Sequence, residues 1–233
     1  MTGPVRLRPC YAADIPALTA LWQQVFGDSA ETIAAFYHAF PRCRALAAED
    51  ESGALVSMLH VLPQTLTMEG RTYPAAYLYA VATREDCRGR GLAGTLLQFT
   101  EALLERLGYR CAVLVPAEQP LFGFYARLGY EPVFLRNRTP FSGGREISQA
   151  EYHRRREALL TGPHMTYGPE LYAYLQSAYG VRFYETDTGI AAAGDGYTAE
   201  VLPEDLGGQP FAMAKWLGKP RALDPGYLGF ALE

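Results

Sequence analysis

The sequence predicts a mixed α/β fold: a twisted mixed sheet with flanking helices, followed by a smaller α+β lobe. Three observations predict it. Residues 75–83 form an apolar, aromatic run that reads as a central strand, and the stretch Arg88-Gly89-Arg90-Gly91-Leu92-Ala93-Gly94 leads from it into a strongly amphipathic helix. Residues 111–115 are short, apolar and closed by Pro116, which predicts a buried strand parallel to the first with the helix as crossover. Upstream, strand-like runs are separated by Glu51-Ser52-Gly53 and Glu69-Gly70-Arg71, the turn signals of antiparallel hairpins.

Taken in order, residues 5–9 alternate apolar and basic side chains like an edge strand. Asp14 is placed to cap a helix through residue 25 that buries Leu18, Leu21, Trp22 and Val25. Gly27-Asp28-Ser29 breaks it, and residues 30–40 predict a second helix stopped by Pro41. Strands are expected at 44–48, 54–62 and 65–69. After the glycine-rich turn, Leu92, Leu96, Leu103 and Leu107 share one helical face with Leu97 and Leu104 beside them, and Gly108 supplies the stop. Residues 120–128 predict a short helix ending at Gly129, and 130–135 another strand.

Pro140, Gly143 and Gly144 then mark a boundary, dividing 1–140 from an extension at 141–233. Ser148 and Glu151 form a capping box ahead of a helix over 152–160. A helix at 169–179, strands at 181–185, 190–193 and 197–201, and an apolar tail from Phe211 follow. An extension with its own helices and strands reads as a packed lobe rather than a linker.

Composition limits the function classes. The chain has 233 residues, enough for one well-buried core or a domain with a substantial appendage. No run approaches the apolar length of a membrane span, and Met1-Thr2-Gly3-Pro4-Val5-Arg6 leads into no apolar signal region, so a cytoplasmic location without membrane contact is expected. The 21 basic and 25 acidic residues give a net charge of −4, a global field that repels nucleic acid. Cys10, Cys43, Cys87 and Cys111 lack C-x-x-C spacing, which argues against a zinc ribbon, a redox pair or a disulfide scaffold. His38, His60, His153 and His164 show neither H-E-x-x-H nor paired ligand spacing, so no metal is expected. The run His153-Arg154-Arg155-Arg156 reads as a solvated helical face.

The chemistry concentrates at residues 88–94. Amides at a helix start are unpaired and carry the positive end of the helix dipole, so a glycine-rich entry to a helix can hold a phosphate without any side chain. Two patterns fit. Gly89-x-Gly91-x-x-Gly94 matches the dinucleotide fingerprint, which would make the protein an NAD-dependent oxidoreductase. That fold needs a tight turn directly after the strand and repeated strand-helix units, whereas Arg84-Glu85-Asp86-Cys87-Arg88 intervenes here and only one such unit is legible. Arg88-x-x-Gly91-x-Ala93 matches the [Arg/Gln]-x-x-Gly-x-[Gly/Ala] loop of acetyl-CoA-dependent N-acyltransferases.

With Tyr79-Ala80-Val81-Ala82-Thr83 before that loop and Phe124-Tyr125-Ala126-Arg127-Leu128-Gly129-Tyr130 after it, the sequence resembles the GNAT superfamily of acetyl-CoA-dependent N-acetyltransferases over roughly residues 5–137. Within it, these segments look most like the N-terminal domain of the Eis-like branch, although this chain is shorter than full Eis-like proteins. The resemblance implies a GNAT-type sheet, acetyl-CoA as cosubstrate without a metal, and a small-molecule or peptide amine as acceptor. It implies that main-chain groups of Val81 and Thr83 pair with the pantetheine arm. The amides of Gly89, Arg90, Gly91, Ala93 and Gly94 would face the pyrophosphate, Gly91 and Ala93 permitting close approach, with Arg88 and Arg90 adding attraction.

Tyr125 matches the general acid that protonates the departing thiolate, and the terminal carboxylate, here that of Glu233, matches the base of the Eis-like branch. Independently of the resemblance, Glu118 at the end of the 111–115 strand and His60 on an earlier strand are candidate bases. Phe36, Tyr37, Tyr77, Tyr79, Phe122 and Phe124 are the rings available to an acceptor pocket, most of them expected in the core. The lobe would complete the acceptor site or make a homodimer contact. A non-catalytic acyl-CoA sensor is the competing reading from another class.

Overall fold

The computed structural model describes residues 4–194, 196–219 and 221–232. The first part of the chain runs β1 (Arg6–Pro9), α1 (Ile15–Phe26), α2 (Ala30–Ala39), β2 (Arg44–Glu49), β3 (Leu55–Met68), β4 (Arg71–Thr83), α3 (Leu92–Arg106), β5 (Cys111–Leu114), α4 (Gln119–Arg127) and β6 (Glu131–Arg136). The remainder adds β7 (Arg145–Ile147), α5 (Gln149–Leu159), β8 (His164–Thr166), α6 (Pro169–Tyr179), β9 (Arg182–Glu185), β10 (Ile190–Gly194), β11 (Tyr197–Leu202) and β12 (Gln209–Trp216).

Eight of the described strands form one sheet in the order β1-β2-β3-β4-β5-β12-β6, with β8 added to β3; the other four form a sheet in the order β11-β10-β9-β7. Among the described residues β4 and β5 form the only parallel ladder, across the α3 crossover, and the other ladders are antiparallel. A dinucleotide fold is therefore ruled out by topology, because it rests on repeated parallel units.

The alternation of side chains sorts the large sheet into two faces. On one face Ala76 and Leu78 of β4, Ala112 and Leu114 of β5, and Leu59 and Val61 of β3 pack with α3 and α4. On the other, Ala75 and Tyr77, Cys111 and Val113, and Met58 and Leu62 pack with α1, α2 and α6. Helix α3 buries Leu96, Leu97 and Leu104 fully, each side chain worth about 1.5–3 kcal/mol. Leu107, expected on that face, is 46% exposed because it lies just beyond the helix end.

The chain on either side of residue 140 shares both sheet and core. Strand β12, from the apolar tail, lies between β5 and β6, while Phe183, Ile190 and Leu202 of the small sheet join the cluster that holds Trp22 and Phe36. Two expected strands at 54–62 and 65–69 are one strand, β3. Pro63 does not interrupt it, because β3 stays paired with β4 through Pro63↔Ala76. The Ser148 hydroxyl accepts the Glu151 amide at 3.2 Å, but the Glu151 carboxylate turns to Arg154 and Arg155 rather than closing a capping box.

One expectation reverses in part. Arg154 is exposed, yet Arg156, two residues along the same helix, is wholly buried with Glu200. Its guanidinium reaches Glu200 at 3.0 and 3.1 Å, the Met165 carbonyl at 2.8 Å and the Leu228 carbonyl at 3.2 Å. The buried carboxylate is 44 residues away in sequence, so a run of basic letters looks the same whether its members face water or a carboxylate. The chain from Tyr227 to Leu232 is buried against this pair, and the Tyr167 hydroxyl donates to the Leu228 carbonyl at 2.6 Å. No helix among the described residues is long and apolar enough to cross a membrane.

Candidate acyl-transfer site

The site begins where β4 and β5 part. Their ladder runs Ala75↔Cys111, Ala76↔Ala112 and Tyr77↔Val113, and ends there. Strand β4 continues six residues to Thr83, while β5 stops at Leu114 and the chain turns into α4. The result is a wedge with an unpaired β4 edge.

A bulge in β4 sets what that edge presents. His60 pairs with Tyr79 and Met58 with Ala82, so Ala80 and Val81 together stand opposite Leu59. Ala80 takes φ +47°, a left-handed conformation unusual for a residue with a side chain and one that costs about 1–2 kcal/mol. Before the bulge the Pro74 carbonyl accepts from the Arg110 amide, so even-numbered residues face β5; after it the Arg84 amide donates to Val56 on the β3 side. The extra residue shifts the parity, and the main-chain groups of Val81 and Thr83 point into the wedge. The Thr83 carbonyl is already engaged there by Arg88 Nε at 3.2 Å.

The cradle follows. The Arg88 amide donates to Glu85 and the Thr95 amide to Gly91, but the six amides in between, 89–94, have no partner among the described residues. Gly89 and Gly91 adopt φ +76° and +77°, and Gly91 occupies the position just before α3. A Cβ at either glycine would meet nothing within 4 Å, so glycine is demanded by the backbone conformation, and the space in front is open. Ala93 and Gly94 start the helix, with Gly94 backing onto Leu128. Arg90 donates to the Asp86 carbonyl at 2.7 Å. Both arginines thus brace the loop from within. Successive unpaired amides at a helix start form a concave anion site.

Tyr125 lies on α4, only 6% exposed, among the side chains that include Leu96, Leu97, Leu114 and the half-buried Val81. Its ring meets Phe124 at 5.0 Å and Tyr130 at 5.9 Å, and burial pushes its phenol up to about 12. No group among the described residues hydrogen-bonds its hydroxyl. Glu118 is the exposed residue immediately before α4 and makes no capping bond through its side chain.

His60 sits on the opposite face, fully buried among Trp22, Phe36 and Tyr37, with Nε2 2.8 Å from the Tyr37 hydroxyl and Nδ1 without a partner among the described residues. Burial drives it down to about 3, which makes it a neutral ring and a poor proton acceptor near pH 7. Of the candidate acceptor-pocket rings, Phe36 and Tyr77 are core, while Tyr79 is half-buried over Tyr77. The Leu232 amide lies 3.4 Å from the Tyr77 hydroxyl, and Glu233 itself lies outside the described residues. No three His, Cys, Asp or Glu side chains among the described residues are grouped to hold a metal.

Sequence reasoning missed Glu101 and Lys215. They meet at 2.5 Å behind α4, and Lys215 also donates to the Leu128 carbonyl at 2.8 Å. A lysine in an apolar strand was the available signal, but its partner is 114 residues away.

Comparison with known proteins bears on the fold. A conserved protein of unknown function from Enterococcus faecalis V583 superposes with a TM-score of 0.69 at 15% identity, covering 93% of this chain and 73% of that one. GCN5-related N-acetyltransferases from Kribbella flavida and Anabaena variabilis superpose with TM-scores of 0.61, at 16% and 18% identity over 82% and 83% of this chain. This chain spans 54% and 56% of their lengths. At such identities the likeness is one of fold. A search among curated proteins finds no match. The profile of the acetyltransferase (GNAT) domain matches residues 6–133, more than half of the sequence, and the chain therefore belongs to the GNAT acetyltransferase family.

Proposed function

We propose that this protein moves an acetyl group from acetyl-CoA to an amine by direct attack in a ternary complex. The observation that carries the proposal is the row of six partnerless amides at 89–94, continuous with the unpaired β4 edge. Such a row suits a diphosphate, and a strand edge suits the amides of a pantetheine arm. The same Tyr79 to Thr83 and Phe124 to Tyr130 segments support placement in the Eis-like branch.

The cosubstrate supplies an acyl carbon activated as a thioester. The amine nitrogen forms the new C–N bond, main-chain N–H groups in the wedge hold the developing oxyanion, and the C–S bond breaks. Tyr125 passes its proton to the departing sulfur. A phenol at about 12 is fully protonated at neutral pH, so the donor is always armed. Transfer to a thiolate whose acid titrates near ~8.5 is uphill in water, and burial beside Tyr125 offsets part of this by destabilising the thiolate as well. The amine must shed a proton, and Glu118, exposed and immediately before α4, is the first proposed base. The carboxylate of Glu233 is the second proposed base. The acceptor is a small-molecule or peptide amine rather than nucleic acid, and the location cytoplasmic.

Calorimetry with acetyl-CoA against NAD, followed by thiol release with spermidine and a short lysine peptide, tests the reading. Saturable acetyl-CoA binding with amine-dependent thiol release is expected. Tight CoA binding without release on any amine would make the protein a sensor, and absence of CoA binding would end the proposal.

A further inference from the structure

Lys215 is the one charged side chain of β12 whose neighbours at alternate positions, Met213 and Leu217, both lie in the apolar cluster with α3 and α4. Its ammonium sits 2.5 Å from Glu101 Oε2 on α3 and 2.8 Å from the Leu128 carbonyl at the end of α4, and stands 5.7 Å over the Tyr130 ring. A cation on the last carbonyl of a helix is favoured by the dipole, and the buried carboxylate holds it there. Gly129 makes the approach feasible. It turns the chain at φ +88°, and a Cβ there would come within 3.4 Å of Lys215 Cε. Tyr130 in turn packs edge-on against Tyr125 at 5.9 Å.

We propose that Lys215 is a positioning residue for acyl transfer: it ties the helix that begins at the amide cradle to the helix that carries Tyr125, and so sets the distance between bound thioester and proton donor. The inference rests on the acid role of Tyr125. A misplacement of about 1 Å costs up to ~100-fold in rate, so a loosened clamp shows in turnover before it shows in cofactor binding. The clamp comes from β12, outside the residues 6–133 that match the family profile.

The test is a double-mutant cycle on thiol release with the most active amine of the panel above. Lys215→Met is expected to lower kcat roughly tenfold, with the Kd for acetyl-CoA changed less than about twofold. In a Tyr125→Phe background the same substitution is expected to change kcat less than about twofold, because the group it positions is gone. A full tenfold loss in that background, or an unchanged kcat in the single variant, overturns the proposal. Glu101→Gln, which keeps volume and an acceptor, serves if Lys215→Met does not fold, with the same non-additivity expected. If Tyr125→Phe alone leaves kcat intact, the acid role fails; the clamp is then judged by hydrogen exchange. Unchanged exchange at residues 125–130 in Lys215→Met overturns it, and faster exchange confined there supports it.

Discussion

Replacing Arg156 by Met should be the most damaging single change outside the site. The guanidinium has no solvent exposure, and its removal leaves the Glu200 carboxylate, also at 0%, with the Tyr152 hydroxyl as its side-chain partner among the described residues. The carbonyls of Met165 and Leu228 lose a donor as well. Breaking one half of a buried ion pair costs about 3–5 kcal/mol, dominated by the stranded charge. For a chain of this length each kcal/mol corresponds to roughly 2–4 °C, so Tm should fall by roughly 6–20 °C. Thermal melting followed by circular dichroism measures the shift and urea denaturation the free energy, and the cycle with Glu200→Gln tells a stranded charge from lost packing. Arg156→Met combined with Glu200→Gln should recover at least ~2 kcal/mol relative to Arg156→Met alone. Gly229 is fitted to the pair, its Cβ position lying 2.8 Å from Arg156 Nη2, so the segment 227–232 should loosen too and exchange its amide hydrogens faster. A loss below ~1 kcal/mol, or two single losses that simply add, would mean the pair is not the buried, mutually dependent unit described.

Further outcomes follow from the site and from burial. Tyr125→Phe should lower kcat while the acetyl-CoA Kd stays within about twofold, since the phenol is asked to act only as the C–S bond breaks; equal effects on both would refute the acid role. Gly91→Ala forces a side chain into φ +77° at a cost of about 1–2 kcal/mol and projects a methyl toward the open cradle, so acetyl-CoA affinity by calorimetry should fall beyond what the melting shift explains. Burial raises the thiols of Cys10 to about 11 and of Cys43 and Cys111 to about 12. Iodoacetamide at pH 8 should therefore leave these three unmodified in the folded protein while labelling them in urea, read by peptide mass spectrometry. Asp14, held at about 2 chiefly by hydrogen bonds from Arg8, has a folded value below its unfolded one. Its stabilisation is present above about pH 4 and lost as pH falls through 2, so wild type and Asp14→Asn should differ in Tm at pH 6 and converge at pH 2.

Most of what was legible in the sequence is local. The cradle was readable because Gly89, Gly91 and the amphipathic α3 act within a few residues of one another, and the parallel pair because both strands are short, apolar runs flanking that helix. The edge of β4 was only half legible. The Val81 and Thr83 positions followed from a resemblance, while the bulge that turns their main-chain groups outward depends on which residue of β3 stands opposite. The burial of Arg156, the neutral state of His60 and the clamp of Lys215 left no trace in spacing, since each depends on a partner brought from far along the chain.

The elements and the anion-binding turn are written locally, because helix periodicity, glycine at positive φ and unpaired amides at a helix start are properties of consecutive residues. The folded chain adds that the apolar tail enters the main sheet between β5 and β6, that Arg156 of the basic run is buried while Arg154 is exposed, and that α3 and α4 are tied together from β12. Those outcomes depend on long-range pairing. A strand or a charge carries no mark of which distant partner will satisfy it until the chain has closed around both.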